Sequence, residues 1–321
     1  MLIPVLLFAL GLVLLIKGGD WFVDGATGIA HRFNIPELLI GATVVSIGTT
    51  LPEVMVSATS AISGHGEIAY GNAIGSVICN TSLIAAITVA AKPSEVDPKT
   101  LKIPTLFFFI AAIIYALVAY TSGFFARWVG ILLLVLFVVY MVINVKTVKN
   151  MPKEEIPEDD KTESNTMTKD IVLLVVGAVL IAIGANLLVD NGTLIAATLG
   201  VPEAVIALTF VALGTSLPEL VTAITSLVKG HSSLSLGNII GANLFNLVLV
   251  SGLSVTLRPF AIPQDSMLFG KITSLVLDIP VMFAVMLLLT IPALKRAKLS
   301  RWQGIILLLI YASFCTIQFI I

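Results

Sequence analysis

A segment near the start of the chain, PELLIGATVVSIGTTLPE from Pro36, returns 166 residues later as PEAVIALTFVALGTSLPE from Pro202. GNAIGSVICN from Gly71 returns at the same offset as GNIIGANLFN from Gly237. Residues 36–80 and 202–246 align without a gap and share 19 of 45 positions, among them Thr43, Gly48, Thr49, Pro52, Glu53, Asn72, Gly75 and Asn80. Such a match marks two related halves, and each half must place its copy of the segment in an equivalent local structure.

The medium follows from composition. A chain that is 58% hydrophobic and 12% charged has too little polar surface to stay in water. Hydropathy and breaker residues divide it into ten apolar spans, roughly 3–29, 37–63, 68–91, 103–122, 126–146, 170–197, 203–228, 234–256, 269–292 and 301–320. Leu2 to Ile16 lacks a basic leader and a small-residue cleavage site, so it reads as a retained first helix. The polar stretch between Lys146 and Lys169, rich in proline and mixed charge, reads as a solvated linker. The expected organisation is therefore residues 1–147, a linker 148–168, and residues 169–321.

Five spans per half is an odd number, so the second half enters the membrane from the opposite side. The predicted fold is an all-α integral membrane protein of ten transmembrane helices arranged as two five-helix inverted repeats. Fourteen of the eighteen Lys and Arg residues fall in odd-numbered loops, including the linker, and three in even-numbered loops. The positive-inside rule then places the linker in the cytoplasm and both termini outside a cell membrane.

Glu53 and Glu219 stand at equivalent positions well inside apolar spans. An acidic side chain at the centre of a membrane helix costs about 2.5 to 3.5 kcal/mol, so two matched ones require a compensating cation or proton. Each follows a proline, and Pro52 and Pro218 cannot donate to the carbonyls of Gly48 and Gly214. Carboxylates, freed carbonyls and the hydroxyls of Thr49, Thr50, Thr215 and Ser216 make the all-oxygen surroundings that hard cations prefer. Ser76 and Asn80 share a face of the third span, and Asn246 matches Asn80 on the eighth, whereas Ala242 replaces Ser76. Gly71, Gly75, Gly237 and Gly241 are expected to serve close helix packing.

These two segments resemble the alpha repeats of the sodium/calcium exchanger family, within the calcium/cation antiporter superfamily. The resemblance implies calcium held between Glu53 and Glu219 with the main-chain carbonyls of Thr49 and Thr215 assisting. It implies one flanking sodium site from the Ala212 carbonyl, Thr215, Ser216, Glu219 and Ser76, and another from the Ser46 carbonyl, Thr49, Thr50 and Glu53. Asn246 stands where the potassium-dependent branch carries an acid, so no potassium requirement is expected. Exchange would be electrogenic, would proceed by alternating access with the first and sixth spans as the moving gate, and would need no cofactor. Sodium, calcium and the bilayer are the expected partners; nothing points to nucleic acid or an obligate protein partner.

A proton/calcium antiporter is the alternative, since the same glutamates could release calcium on taking up protons; the sodium-site hydroxyls argue against it. An enzyme is not expected, because the chain has no H-E-x-x-H, no paired catalytic aspartates and no serine with a credible base. Cys79 and Cys315 read as packing residues, His65 and His231 as turn residues. Asp20, Asp24 and Asp190 read as interfacial or helix-pairing groups, with Lys17 a partner for Asp20.

Overall fold

A computed structural model describes residues 2–149, 166–199, 214–264 and 266–320. It is helical almost throughout: α1 Leu2–Arg32, α2 Glu37–Ser63, α3 Gly66–Ala91, α4 Pro98–Thr121, α5 Arg127–Lys149, α6 Met167–Thr198, α7 Leu217–Val228, α8 Ser232–Leu257, α9 Ser274–Arg296 and α10 Arg301–Ile320. Among the described residues nine of these are long and apolar enough to cross a bilayer. The remaining one, α7, is a shorter apolar helix, and the expected start of its span, 203–213, lies outside the described residues, as does most of the linker.

Glycines set the relation between the halves. Along α1, Gly11, Gly18 and Gly25 recur every seven residues and meet α6 in reverse order, against Gly184, Gly177 and Leu174. A Cβ on Gly11 would lie 2.9 Å from the Gly184 carbonyl oxygen, and one on Gly25 would meet the Leu174 nitrogen. Because Gly11 and Gly18 are the repeat equivalents of Gly177 and Gly184, each helix packs on its own counterpart running the other way. That is the packing an inverted repeat requires, and backbones can approach this closely only where Cβ is missing.

The two repeats are built alike from the inside outward. In α3 and α8, 78% and 83% of the most apolar stretch is buried, against 22% in α1 and α6 and 11% in α10, so α3 and α8 lie at the centre and α1, α6 and α10 at the periphery. Gly41, Gly237 and Gly241 bring α2 and α8 backbone to backbone, and side chains at these places would strike Leu234, Leu38 and Ser46. Gly71 and Gly75 meet nothing within 4 Å among the described residues.

Helix ends follow local chemistry. Asp97 caps α4 by accepting from the Lys99 N–H at 3.0 Å, with Pro98 just inside, which starts that helix several residues before the expected 103. Gly64 and Gly230, with φ of 97° and 89°, close α2 and α7, and His65 and His231 donate back to Ser60 and Ser226. The ninth span begins later than expected from its apolar run. A hairpin of β3 Met267–Leu268 and β4 Lys271–Ile272 precedes it, turning through Phe269 and Gly270, both at positive φ, and α9 begins at Ser274 rather than 269. Even-numbered loops meet where β1 Phe124–Phe125 pairs with β2 Phe260–Ala261. Odd-numbered loops meet where Glu95 bridges Lys298.

Charged residues outside the centre tie helices together. Asp20 pairs with Lys229 and not with Lys17: the Lys229 ammonium lies 3.6 Å from the Asp20 carboxylate and 2.7 Å from that of Asp24. Arg32 at the end of α1 reaches the buried Asp170 near the start of α6 at 3.1 Å. His231 contacts Glu37 at 2.7 Å, and Asp278 accepts from Ser274 and Gln318. Cys79 and Cys315 are free thiols.

Candidate functional site

Four helices meet at the middle of the bundle: α2 and α3 from the first repeat, α7 and α8 from the second. Three of them interrupt regular α-helix close to their polar residues. In α2 a π-helical turn spans Gly41–Val45, and Pro52 lies about two turns further on. In α3 and α8 π-helical turns begin at Asn80 and Asn246, which are repeat equivalents. Inside such turns the backbone hydrogen bonds are re-registered, and hydroxyls take up the slack: Ser46 Oγ donates to the Gly41 carbonyl at 2.6 Å and Ser251 Oγ to that of Asn246 at 3.1 Å, each five residues back. Residues 214–216 form a turn before α7 starts at Leu217.

The two repeats therefore deliver their glutamates differently. Glu53 sits in a continuous helix just past Pro52, whereas Glu219 sits in the first turn of α7, with Pro218 at the helix start, where no backbone donor is lost. The Gly214 carbonyl is not left bare as the sequence suggests: it accepts from the Leu217 N–H at 3.3 Å and closes the turn.

Both glutamates are fully buried and close enough to interact electrostatically. Thr49 and Thr50 lie near Glu219 across the repeat boundary. All four carboxylate oxygens of Glu53 and Glu219 lack a hydrogen-bond partner among the described residues. The same holds for the hydroxyls of Thr50 and Ser216, a repeat-equivalent pair, and for both amide atoms of Asn80 and of Asn246. Orphaned buried polar atoms are rare in folded proteins, because each costs about 1 to 3 kcal/mol and charged ones more. Here they cluster, and nearly all are oxygens. Among the described residues no three His, Cys, Asp or Glu side chains converge, so a cation held here must draw on neutral oxygens beside the two carboxylates.

Of the remaining residues named from the sequence, Ser76, Thr49, Thr215 and Ser46 are among the described residues. Ser76 and Thr49 are buried, and Thr215 is partly buried. The Ser46 hydroxyl is engaged with the Gly41 and Asn238 carbonyls, so its own main-chain carbonyl is the oxygen it can offer. Ala212 lies outside the described residues.

Sequence reasoning passed over Asn72 and Asn238 except as matching letters in the repeat. Thr49 Oγ1 donates to Asn238 Oδ1 at 3.2 Å, and Thr215 Oγ1 donates to Asn72 Oδ1 at 3.3 Å. Each threonine thus reaches the asparagine of the opposite repeat. Asn72 also donates from Nδ2 to Ser57 Oγ at 2.8 Å and to the Glu53 carbonyl at 3.3 Å.

The sequence model of the family described as sodium/calcium exchanger protein matches residues 3–146 and 169–320, nearly the whole chain. The chain belongs to the sodium/calcium exchanger family. It is 36% identical over 305 residues to an uncharacterized membrane protein of Methanocaldococcus jannaschii, covering 95% of this chain and 94% of that one. It is 31% identical over 354 residues to the sodium/calcium exchanger MaX1 of Methanosarcina acetivorans, covering 98% of each. Among solved structures it resembles the sodium-calcium exchanger NCX_Mj soaked with sodium and strontium, with a TM-score of 0.81, 34% identity and 97% of each chain covered. As a member of this family it is a multi-pass membrane transporter and not an enzyme, and the inverted five-helix repeats read from the sequence are the architecture the structure has.

Proposed function

We propose that this chain exchanges sodium for calcium across a cell membrane by alternating access, moving net charge and requiring no potassium. One observation carries the reading: Glu53 and Glu219 come from oppositely oriented repeats and share a fully buried position with all four oxygens unpartnered among the described residues. Two carboxylates in that position need positive charge, and the neutral oxygens around them suit calcium or sodium better than a soft metal.

In this reading calcium lies between the two carboxylates with the Thr49 and Thr215 carbonyls. Sodium takes the same carboxylates with flanking groups: Thr50, Thr49 and the Ser46 carbonyl on one side, and Ser216, Thr215, Ser76 and the Ala212 carbonyl on the other. Asn80 and Asn246 complete the shell with neutral amides. Because both ions need Glu53 and Glu219, their occupancy is exclusive, and exclusivity couples the two fluxes. The gate is the α1–α6 pair, whose glycine seam lets the two helices move as one body. The linker faces the cytoplasm and both termini lie outside, as the lysine and arginine distribution requires. Sodium and calcium are cargo, and no resident cofactor takes part. A proton/calcium antiporter is not favoured, because the family match and the hydroxyls at Thr50 and Ser216 both point to sodium.

Calcium-45 uptake into sodium-loaded proteoliposomes, at fixed pH and clamped potential, tests this. Uptake driven by an outward sodium gradient and abolished in Glu53→Gln and in Glu219→Gln is the expected result. Uptake indifferent to sodium and driven by a proton gradient would overturn it.

A further inference from the structure

Hydroxyls on buried helices have one proton to place, and most in this protein give it to a carbonyl three or four residues back. Thr43 donates to Leu39 at 2.6 Å, Thr81 to Val77 at 2.8 Å and Thr290 to Met286 at 2.6 Å. Thr49 and Thr215 send theirs across the repeat boundary, to Asn238 at 3.2 Å and Asn72 at 3.3 Å, the Ser46 carbonyl three residues back from Thr49 being farther at 3.5 Å. A hydroxyl oxygen binds a cation through its lone pairs, and does so well only when its proton points elsewhere.

We propose that Asn72 and Asn238 are positioning residues that take the protons of Thr215 and Thr49, so that both hydroxyls present lone pairs to sodium. The amide orientation of Asn72 is fixed by chemistry. Its Nδ2 faces the Glu53 carbonyl and Ser57 Oγ, and a carbonyl can only accept, so Oδ1 must face Thr215. Asn238 occupies the equivalent place, its Oδ1 toward Thr49 and its main-chain carbonyl accepting from Ser46 Oγ at 3.0 Å. The arrangement is crosswise: each repeat orients the threonine of the other, so the geometry at one sodium position depends on both halves.

The amide of Asn72 does more than that of Asn238. It also holds the Glu53 carbonyl through a relay shared with Ser57, whereas the equivalent of Ser57 is Ala223 and the Nδ2 of Asn238 has no partner among the described residues. Loss of Asn72 should therefore disturb the Glu53 turn as well as Thr215, and loss of Asn238 should act on Thr49 alone. Outer partners of this kind are worth about 10- to 100-fold in ion affinity when removed.

The proposal rests on the reading that Thr49 and Thr215 bind sodium, and the test separates the two. The half-saturating sodium concentration for calcium-45 uptake is measured beside the half-saturating calcium concentration for sodium-free calcium/calcium exchange. The proteins are wild type, Thr49→Val, Asn238→Leu, Asn238→Asp and the double variant Thr49→Val/Asn238→Leu. We expect Thr49→Val and Asn238→Leu each to raise the sodium value about tenfold or more while the calcium value moves much less. The double variant should be no worse than Thr49→Val, since an absent hydroxyl needs no orienting. Asn238→Asp keeps an oxygen acceptor and should keep the wild-type sodium value or lower it.

If Thr49→Val shifts the sodium value and Asn238→Leu does not, or if the two effects simply add, the positioning role is wrong and the sodium site stands. If Thr49→Val itself leaves sodium dependence unchanged, the site reading fails and takes this proposal with it. Should Asn238→Leu not yield folded protein, Asn238→Ala with and without Thr49→Val makes the same comparison, with the same outcomes deciding.

Discussion

Gly18 on α1 and Gly177 on α6 sit backbone to backbone: a Cβ on Gly18 would lie 2.9 Å from the Gly177 carbonyl oxygen, and one on Gly177 would lie 2.8 Å from that of Gly18. Neither clash can be relieved by turning a side chain, because the obstructing atom is main chain. Gly18→Val or Gly177→Val must push the helices apart or fail to pack, at a cost of about 1 to 3 kcal/mol for overpacking. A lower melting temperature in detergent, read by fluorescence-detected size exclusion, is the expected outcome. Unchanged melting in both variants would show that the seam tolerates a side chain.

The Arg32–Asp170 pair should matter more than a surface ion pair does. Asp170 is 1% exposed, and Arg32 reaches the same carboxylate oxygen through Nε at 3.3 Å and through its terminal nitrogen at 3.1 Å. Arg32→Met removes the charge and leaves Asp170 buried without it, which costs about 2 to 3 kcal/mol after allowing for the partial exposure of Arg32. Restoring neutrality with Arg32→Met/Asp170→Asn should recover a large part of the loss. Thermal melts of the two single variants and the double variant check this, and simple additivity would contradict it.

Lys229 presents the opposite case. Its partners are half exposed: Asp24 is 49% exposed and Asp20 is 37% exposed. Lys229→Ala is therefore expected to cost under about 1 kcal/mol and to lose its effect in high salt. A double-mutant cycle with Asp24→Asn at low and high ionic strength measures it. A large, salt-insensitive coupling would mean that the pair is shielded from water.

How much of this was legible beforehand differs from one element to the next. The repeat beginning at Pro36 and Pro202, with an odd number of spans in each half, already implied inversion, because hydropathy counts helices well and orientation then follows by parity. Gly11, Gly18 and Gly25 emerge only in the structure: a seven-residue spacing names no partner until the halves are folded against each other. The start of α9 was misjudged because Met267, Leu268 and Ile272 are apolar in a hairpin as in a helix, and the deciding signal was the turn at Phe269 and Gly270. Lys17 and Asp20 had helical spacing, yet Lys229, 209 residues away along the chain from Asp20, lies nearer. In the site, Glu53 and Glu219 stood out by charge in an apolar run. Asn72 and Asn238 carry no charge and pair across the repeats, a relation that sequence spacing cannot express.

Asn246 yields the last prediction. Its side chain is fully buried, neither amide atom has a partner among the described residues, and the π-helical turn it begins packs against α2, the helix that carries Glu53, and against α3. An amide adds no charge to a site that already holds two carboxylates, so ion binding has only those two charges to neutralise. Asn246→Asp adds a third in the same low-dielectric region, where unneutralised like charges repel strongly and water is not at hand to screen them. The variant should melt at a lower temperature than wild type when ions are chelated, and calcium should raise its melting temperature by more than it raises that of wild type, since a ligand stabilises a protein in proportion to its preference for the folded state. Wild-type exchange should be the same with potassium or choline on both sides of the membrane, because no third acid calls for an additional cation. Melting curves with chelator and with calcium, beside uptake in the two media, decide both points. An Asn246→Asp protein that is as stable as wild type without ions would place residue 246 outside the charged centre.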